Sequence, residues 1–196
     1  SLEISFNRLS LQEQNLFTLL SIFDGPHFSQ EAIENLAKDE TSLFIHKTVA
    51  KLLNLSLLNQ LSIPFQNETQ THRRYLLHPL LKAFGRQKLQ NLNYSKDIIE
   101  INIANYFALL TNQNKLQSEH EHAALEIDFQ NIVQAIDFAL SNDNWESAVT
   151  AVLSITHANL GIAGFLDATG RWKTAISLLE RCLNILPRSE EHTSEL

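Results

Sequence analysis

The chain of 196 residues has no methionine, one cysteine, five glycines and four prolines. A lone thiol, Cys182, excludes an intrachain disulfide and suits a reducing compartment, so a cytoplasmic protein is expected. So few glycines and prolines disfavour loop-rich and all-β designs. No window approaches the ~18 uncharged apolar residues of a spanning helix, and no basic stretch followed by an apolar run opens the chain, so no membrane association is expected. The absent methionine and a start inside the apolar periodic run Leu2-Glu3-Ile4-Ser5-Phe6 predict an internal piece of a larger protein. Also lacking are the phosphate-cradling G-x-x-x-x-G-K-[ST] loop and the G-x-S-x-G nucleophile elbow, so no catalytic residue is assigned.

What is present is ordinary for a globular chain: 44% hydrophobic and 19% charged, with a net charge of −7. The charge is uneven. Residues 1–92 carry a net +1 and residues 93–196 a net −8. Nucleic-acid affinity is dominated by phosphate neutralisation, so the second half should repel nucleic acid. In the first half the basic clusters are Arg73-Arg74 and the series Lys82, Arg86 and Lys88. That series is spaced along one helix and reads as a solvated face.

Helices dominate the pattern. Ser10-Leu11-Gln12-Glu13 is a capping box, and Leu16, Leu19, Leu20 and Phe23 follow at helical spacing. Asp24-Gly25-Pro26 stops that helix. Ser29 caps a short helix with Ala32, Ile33 and Leu36. Thr41 or Ser42 begins another with Phe44, Ile45, Val49, Leu52 and Leu53. Leu55 to Phe65 then reads as a strand and Arg73 to Leu77 as its partner, with the polar residues 66–72 at the hairpin tip. Pro79 stands where a first helical turn tolerates proline, and Leu80, Leu81, Phe84 and Leu89 follow. Helices, a β-hairpin and a closing helix describe a winged-helix domain over residues 1–92.

Beyond Asn91-Leu92-Asn93 only helices are expected. Ser95 caps one with Ile98, Ile99, Ile103, Tyr106, Phe107 and Leu110, and Thr111 to Ser118 reads as a loop. The next carries Leu125, Phe129, Ile132, Val133, Ile136 and Leu140, and Asn142-Asp143-Asn144 breaks it. Helices over Trp145 to Leu160 and Arg171 to Leu186 complete the series, with Gly170 ending the connection between them. Trp145 and Trp172 each precede an alanine, Ala148 and Ala175, by three residues. The small residue admits a neighbouring helix and the aromatic fills the gap, a tetratricopeptide-like logic at 27 rather than ~34 residues. The expected class is mainly α: a winged helix with a small β-hairpin, then a TPR-like bundle over residues 93–187. Residues 188–196, from Arg188 to Leu196, resemble a translated sequencing-library adapter and are set aside.

Two other features read as structural. Glu119-His120-Glu121-His122 lacks the i, i+4 histidine pair of H-E-x-x-H, since Ala124 stands where the second histidine belongs, so no metal site is expected. Cys182 sits among Leu178, Leu179, Leu183 and Leu186 and reads as a buried thiol.

The order of several phrases resembles the winged-helix part of STAND-type regulatory ATPases, the group that includes NB-ARC proteins. These are Ile4-Ser5-Phe6-Asn7-Arg8-Leu9-Ser10, Glu13-Gln14-Asn15-Leu16-Phe17, Leu19-Leu20-Ser21-Ile22-Phe23, Leu52 to Leu58, and Arg74-Tyr75-Leu76-Leu77-His78-Pro79-Leu80-Leu81-Lys82-Ala83-Phe84-Gly85-Arg86. Leu125 to Ile132 and Ala135 to Leu140 resemble the first helical pair of the family's TPR-like region. The resemblance covers nearly all of residues 1–187.

It implies that an upstream domain of the intact protein binds ATP or ADP and that the winged helix packs over the nucleotide to hold the off state. It implies that His78, in Leu77-His78-Pro79, matches the histidine of a Met-His-Asp-like motif that touches the ADP phosphates. A helix N-terminus suits such an anion. Here Pro79 replaces the motif's aspartate, which weakens its anchoring and removes one N–H; the alternative is that His78 is simply the N-cap of the helix, with no nucleotide contact. The partners implied are the upstream nucleotide-binding domain, a protein or small-molecule effector on the helical region, and further copies of the protein in an activated oligomer. The chain alone is then no enzyme.

Two other readings compete. A winged-helix DNA-binding regulator would set the Thr41–Asn54 helix in a major groove, with Arg73-Arg74 on phosphates. That helix offers only His46, Lys47 and Lys51. A plain helical scaffold predicts instead that His78 is buried against apolar groups.

Overall fold

A computed structural model describes residues 2–64, 71–90, 96–114, 119–157 and 164–185. Among them the chain forms ten helices and three strands. The expected hairpin tip at 66–70, the Ser95 cap, the loop residues 115–118, the helix end near Leu160 and the tail 188–196 lie outside the described residues.

The first half is built by short helices whose starts are set locally. After α1 (Leu2–Phe6), Ser10 caps α2 (Leu11–Leu20). Its hydroxyl accepts the Glu13 amide at 3.3 Å, and the Glu13 carboxylate accepts the Ser10 amide at 2.7 Å. A two-residue strand, β1 (Phe28–Ser29), leads into α3 (Gln30–Leu36), capped by Ser29 through the Ala32 amide. Thr41 caps α4 (Ser42–Asn54) in the same way through Phe44. The hairpin of β2 (Asn59–Pro64) and β3 (Thr71–Leu76) is antiparallel, with Leu61 opposite Arg74. β1 adds to the other edge of β3, giving the order β1-β3-β2. α5 (Pro79–Leu89) closes this half and packs on α2. The contact is close: a Cβ on Gly85 would run into the Ser21 side chain.

The strand boundaries differ from the sequence reading. Residues 55–58 are not strand. The chain leaves α4 through a tight turn with Ser56 at φ 55°, and Leu57 and Leu58 are buried in the core. Their continuous apolar character looks extended, but core burial explains it equally well. The partner strand starts two residues earlier, at Thr71, and leaves out Leu77. β1 has only two residues and no alternation to betray it.

Among the described residues of the second half every regular element is a helix: α6 (Lys96–Gln113), α7 (Glu119–Ser141), α8 (Trp145–Thr156), α9 (Phe165–Ala168) and α10 (Trp172–Ile185). α6, α7 and α8 pack on one another, and α10 packs on α8 and α9. The polar residues Thr111 to Gln113, expected in a loop, continue α6. Thr111 is fully buried and its hydroxyl returns to the Ala108 carbonyl at 2.9 Å, so a polar residue is satisfied inside the helix. α7 begins well before Leu125. It ends at Asn142-Asp143-Asn144 as expected, where Asp143 takes φ 54° and the Asn144 amide returns to Ala139. Gly170 has φ +69°, a conformation glycine adopts without a Cβ clash.

The paired tryptophans do not fill gaps between helices. Trp145 is 45% exposed and Trp172 65% exposed, because each opens its helix with no preceding turn of that helix to pack against. Their alanine partners differ too: Ala148 is fully buried, while Ala175 is only partly so. The aromatic that packs here is Phe165 of α9, fully buried beside His122 and Phe129.

One apolar core runs through both halves, from Phe17 and Phe23 to Phe107 and Ile155. Phe6 meets Phe17 and Phe84 edge to face, and Phe17 and Phe84 are tilted against each other, tying α1, α2 and α5 together. No helix among the described residues is long and apolar enough to cross a membrane.

Candidate functional site

His78 lies exposed between β3 and α5. The proline that follows bars the helical region to it, and its φ/ψ of −57°/142° is extended. His78 is therefore the N-cap of α5. Its carbonyl accepts the Lys82 amide at 2.9 Å, and its Nδ1 accepts the Leu80 amide at 3.3 Å. A ring nitrogen that accepts a hydrogen bond carries no proton in the neutral imidazole, so the proton belongs on Nε2, which is left as a donor.

Two of the three first-turn amide positions of α5 are closed to an anion. Pro79 has no N–H, and the Leu80 N–H is already taken by the His78 ring. What remains for an anion is the Nε2–H of His78, the Leu81 amide and the helix dipole. The neighbouring surface is apolar, since Leu80 is 70% exposed.

The basic series on α5 is a solvated face only in part: Arg86 is exposed, but the cations also hold partners. Lys82 is half-buried, and its ammonium donates to the Asp24 carbonyl at 3.0 Å. Burial, and then the nearby charge of Arg86, hold its pKa below the usual lysine range. Arg86 donates through Nε to the Ser21 carbonyl at 3.0 Å and pairs with the Asp24 carboxylate. Lys88 sits over the Phe84 ring. Lys82 and Arg86 hold the end of α2 and the turn after it.

The Arg73-Arg74 pair is split by strand alternation. Arg73 is exposed, whereas Arg74 is buried against α7. Arg74 donates to both carboxylate oxygens of Asp128, at 2.9 and 2.5 Å, and through Nε to Nδ1 of His27 at 3.3 Å. Burial, and then the Arg74 charge, hold the His27 pKa below the usual histidine range. Arg74 is thus withdrawn from any phosphate. On α4, Lys51 pairs with Glu13 at 2.6 Å and His46 faces Glu34 at 3.4 Å, so Lys47 is the one of the three without an acidic partner among the described residues.

A cleft of about 440 Å³ opens above Arg74 and Asp128, between the sheet and helices α6 and α7. His46, Arg73, Tyr106, Leu110 and Ile127 line it, together with Gln30, whose Oε1 is buried without a hydrogen-bond partner among the described residues. Tyr106 meets Ser29 at 3.3 Å, and burial pushes its hydroxyl up to about pKa 12. Sequence reasoning missed this cleft. Its polar residues come from six elements, and no local spacing connects them.

Cys182 is buried, and burial raises its thiol pKa, so little thiolate forms near neutral pH. Leu183, expected beside it, faces out at 68% exposure. Among the described residues no three His, Cys, Asp or Glu side chains gather as a metal ion requires. No known protein-family model, curated protein or solved structure matches the chain.

Proposed function

We propose that this chain is the winged-helix and sensor part of a STAND-type signalling ATPase. Residues 1–92 hold the nucleotide-dependent off state, and residues 93–187 form a TPR-like region that binds an effector or partner. ATP or ADP is bound by an upstream domain, and nucleotide exchange shifts a closed-to-open equilibrium in the cytoplasm. The observation that carries this reading is His78: exposed, fixed as an N-cap, with Nε2–H left to donate to a phosphate oxygen. The succession of helices, hairpin and closing helix supports the winged-helix identity. The exposed stripe Trp172, Ile176 and Leu183 on α10 suits a face on which a further repeat or a partner stacks. The cleft lined by Arg73, His46 and Tyr106 is a place for a small effector.

The competing readings fit less well. The scaffold reading requires a buried His78. The DNA-binding reading loses Arg74 to Asp128, and its helix has two of three basic residues facing acids.

The test begins with the coding sequence upstream, where a P-loop and an acidic Walker-B segment are expected. In the protein that contains them, His78→Ala should speed ADP release about tenfold, the equivalent of one lost charge-assisted hydrogen bond. Unchanged ADP release, or an upstream start codon without a nucleotide domain, overturns the reading.

A further inference from the structure

The turn between α2 and β1 is gripped from two sides. On one side stands α7, which presents Asp128, Asn131 and Gln134 at i, i+3 and i+6, all buried. Gln134 Oε1 accepts the Asp24 amide at 2.9 Å while its Nε2 donates to the Ile22 carbonyl at 2.7 Å. Asn131 Oδ1 accepts the Gly25 amide at 2.8 Å, and its Nδ2 donates to the His27 carbonyl at 2.9 Å. Each amide side chain therefore bonds the turn through both of its ends. On the other side stands α5. Lys82 donates to the Asp24 carbonyl at 3.0 Å, and Arg86 pairs with the Asp24 carboxylate.

We propose that this turn is a mechanical relay, through which a displacement of α7 reaches α5 and so His78. Residues 24–27 offer no slack on the α7 side, because a Cβ on Gly25 would already collide with the Asn131 carboxamide. Sliding α7 past the turn would strand several buried donors and acceptors at once, so the contact is either engaged or released. A two-state contact of this kind is what coupling between sites requires. On the far side, α5 is a single helix, and the Lys82 that holds the turn also donates its amide to the His78 carbonyl. The purpose of the relay at His78 rests on the nucleotide reading. The coupling itself does not, and it can be measured in this chain without nucleotide.

The experiment is amide hydrogen exchange on the wild type, Asn131→Ala and Lys82→Met. Asn131→Ala should speed exchange about tenfold at the Gly25 amide and also at the Lys82 amide in α5, as expected for losing a buried hydrogen-bond partner. The early amides of α2 should keep their protection. Faster exchange at Gly25 with no change at Lys82 overturns the relay, because the turn would then loosen without α5. Should Asn131→Ala fail to fold, Lys82→Met approaches from the other side. It should speed exchange at the Asp24 amide, which Gln134 holds, and an unchanged Asp24 overturns the proposal.

Discussion

Arg74 of β3 and Asp128 of α7 form a two-pronged ion pair that is more than nine-tenths buried, between residues 54 positions apart. Two parallel N–H···O bonds satisfy the geometry of both ions. Removing one partner leaves the other charged and buried. Asp128→Ala should therefore cost about 3–5 kcal/mol in urea unfolding, while Arg74→Met with Asp128→Leu should recover most of that loss. A small loss for Asp128→Ala alone would mean that water reaches the site.

Gly25 is required by proximity and not by its backbone conformation. A side chain there displaces the Asn131 carboxamide, which holds Gly25 and His27 together. Gly25→Ala should lower stability by about 1–3 kcal/mol, as overpacking of a tight contact does. Asn131→Gly in the same chain should relieve the clash, and a thermal unfolding series of the single and double variants would read it.

His27 makes stability depend on pH. Its folded-state pKa lies below the histidine value of 6.5, first through burial and then through Arg74, with Asp128 opposing. The unfolded chain consequently binds more protons once the pH falls below 6.5. Stability is full above that pH and declines as the pH drops through the folded-state pKa. Replacing His27 by Gln should remove this component, so the difference in urea midpoint between wild type and variant should change between pH 7.5 and 5.5. A constant difference would place the His27 ring in solvent.

Phe165 and Trp172 invert the usual expectation from aromatic size. Phe165 is fully buried in a four-residue helix, whereas Trp172 is largely exposed. Phe165→Ala should cost about 3–5 kcal/mol and Trp172→Ala no more than about 0.5 kcal/mol in chemical unfolding. Equal costs would restore the gap-filling role to Trp172.

Legibility along the chain followed the range of the forces involved. Ser10, Ser29 and Thr41 were readable as caps because a cap is a bond across three residues. Pro79 marked the start of α5, and Asn142-Asp143-Asn144 the end of α7, for similar local reasons. His78 was readable as an N-cap, but the use of the Leu80 amide by its own ring was not, since that depends on ring orientation. β1 escaped notice because it exists only by pairing with β3. Leu57 and Leu58 looked extended because core burial and strand burial leave the same apolar run.

The sequence by itself determined where most helices start and which stripe of each is apolar, since capping and periodicity act within a few residues. The tertiary structure alone decided the fate of the polar residues. Nothing in their local spacing singles out Asp128, Asn131 and Gln134, and Lys82 and Arg86 read as part of a solvated face. Arg74, Asp128, Asn131 and Gln134 are consumed in holding the two halves together, because a buried charge or amide is tolerable only with its partner in place, and those partners lie between 54 and 112 residues away. Lys82 and Arg86 instead tie α5 to the turn after α2, about 60 residues away within the first half.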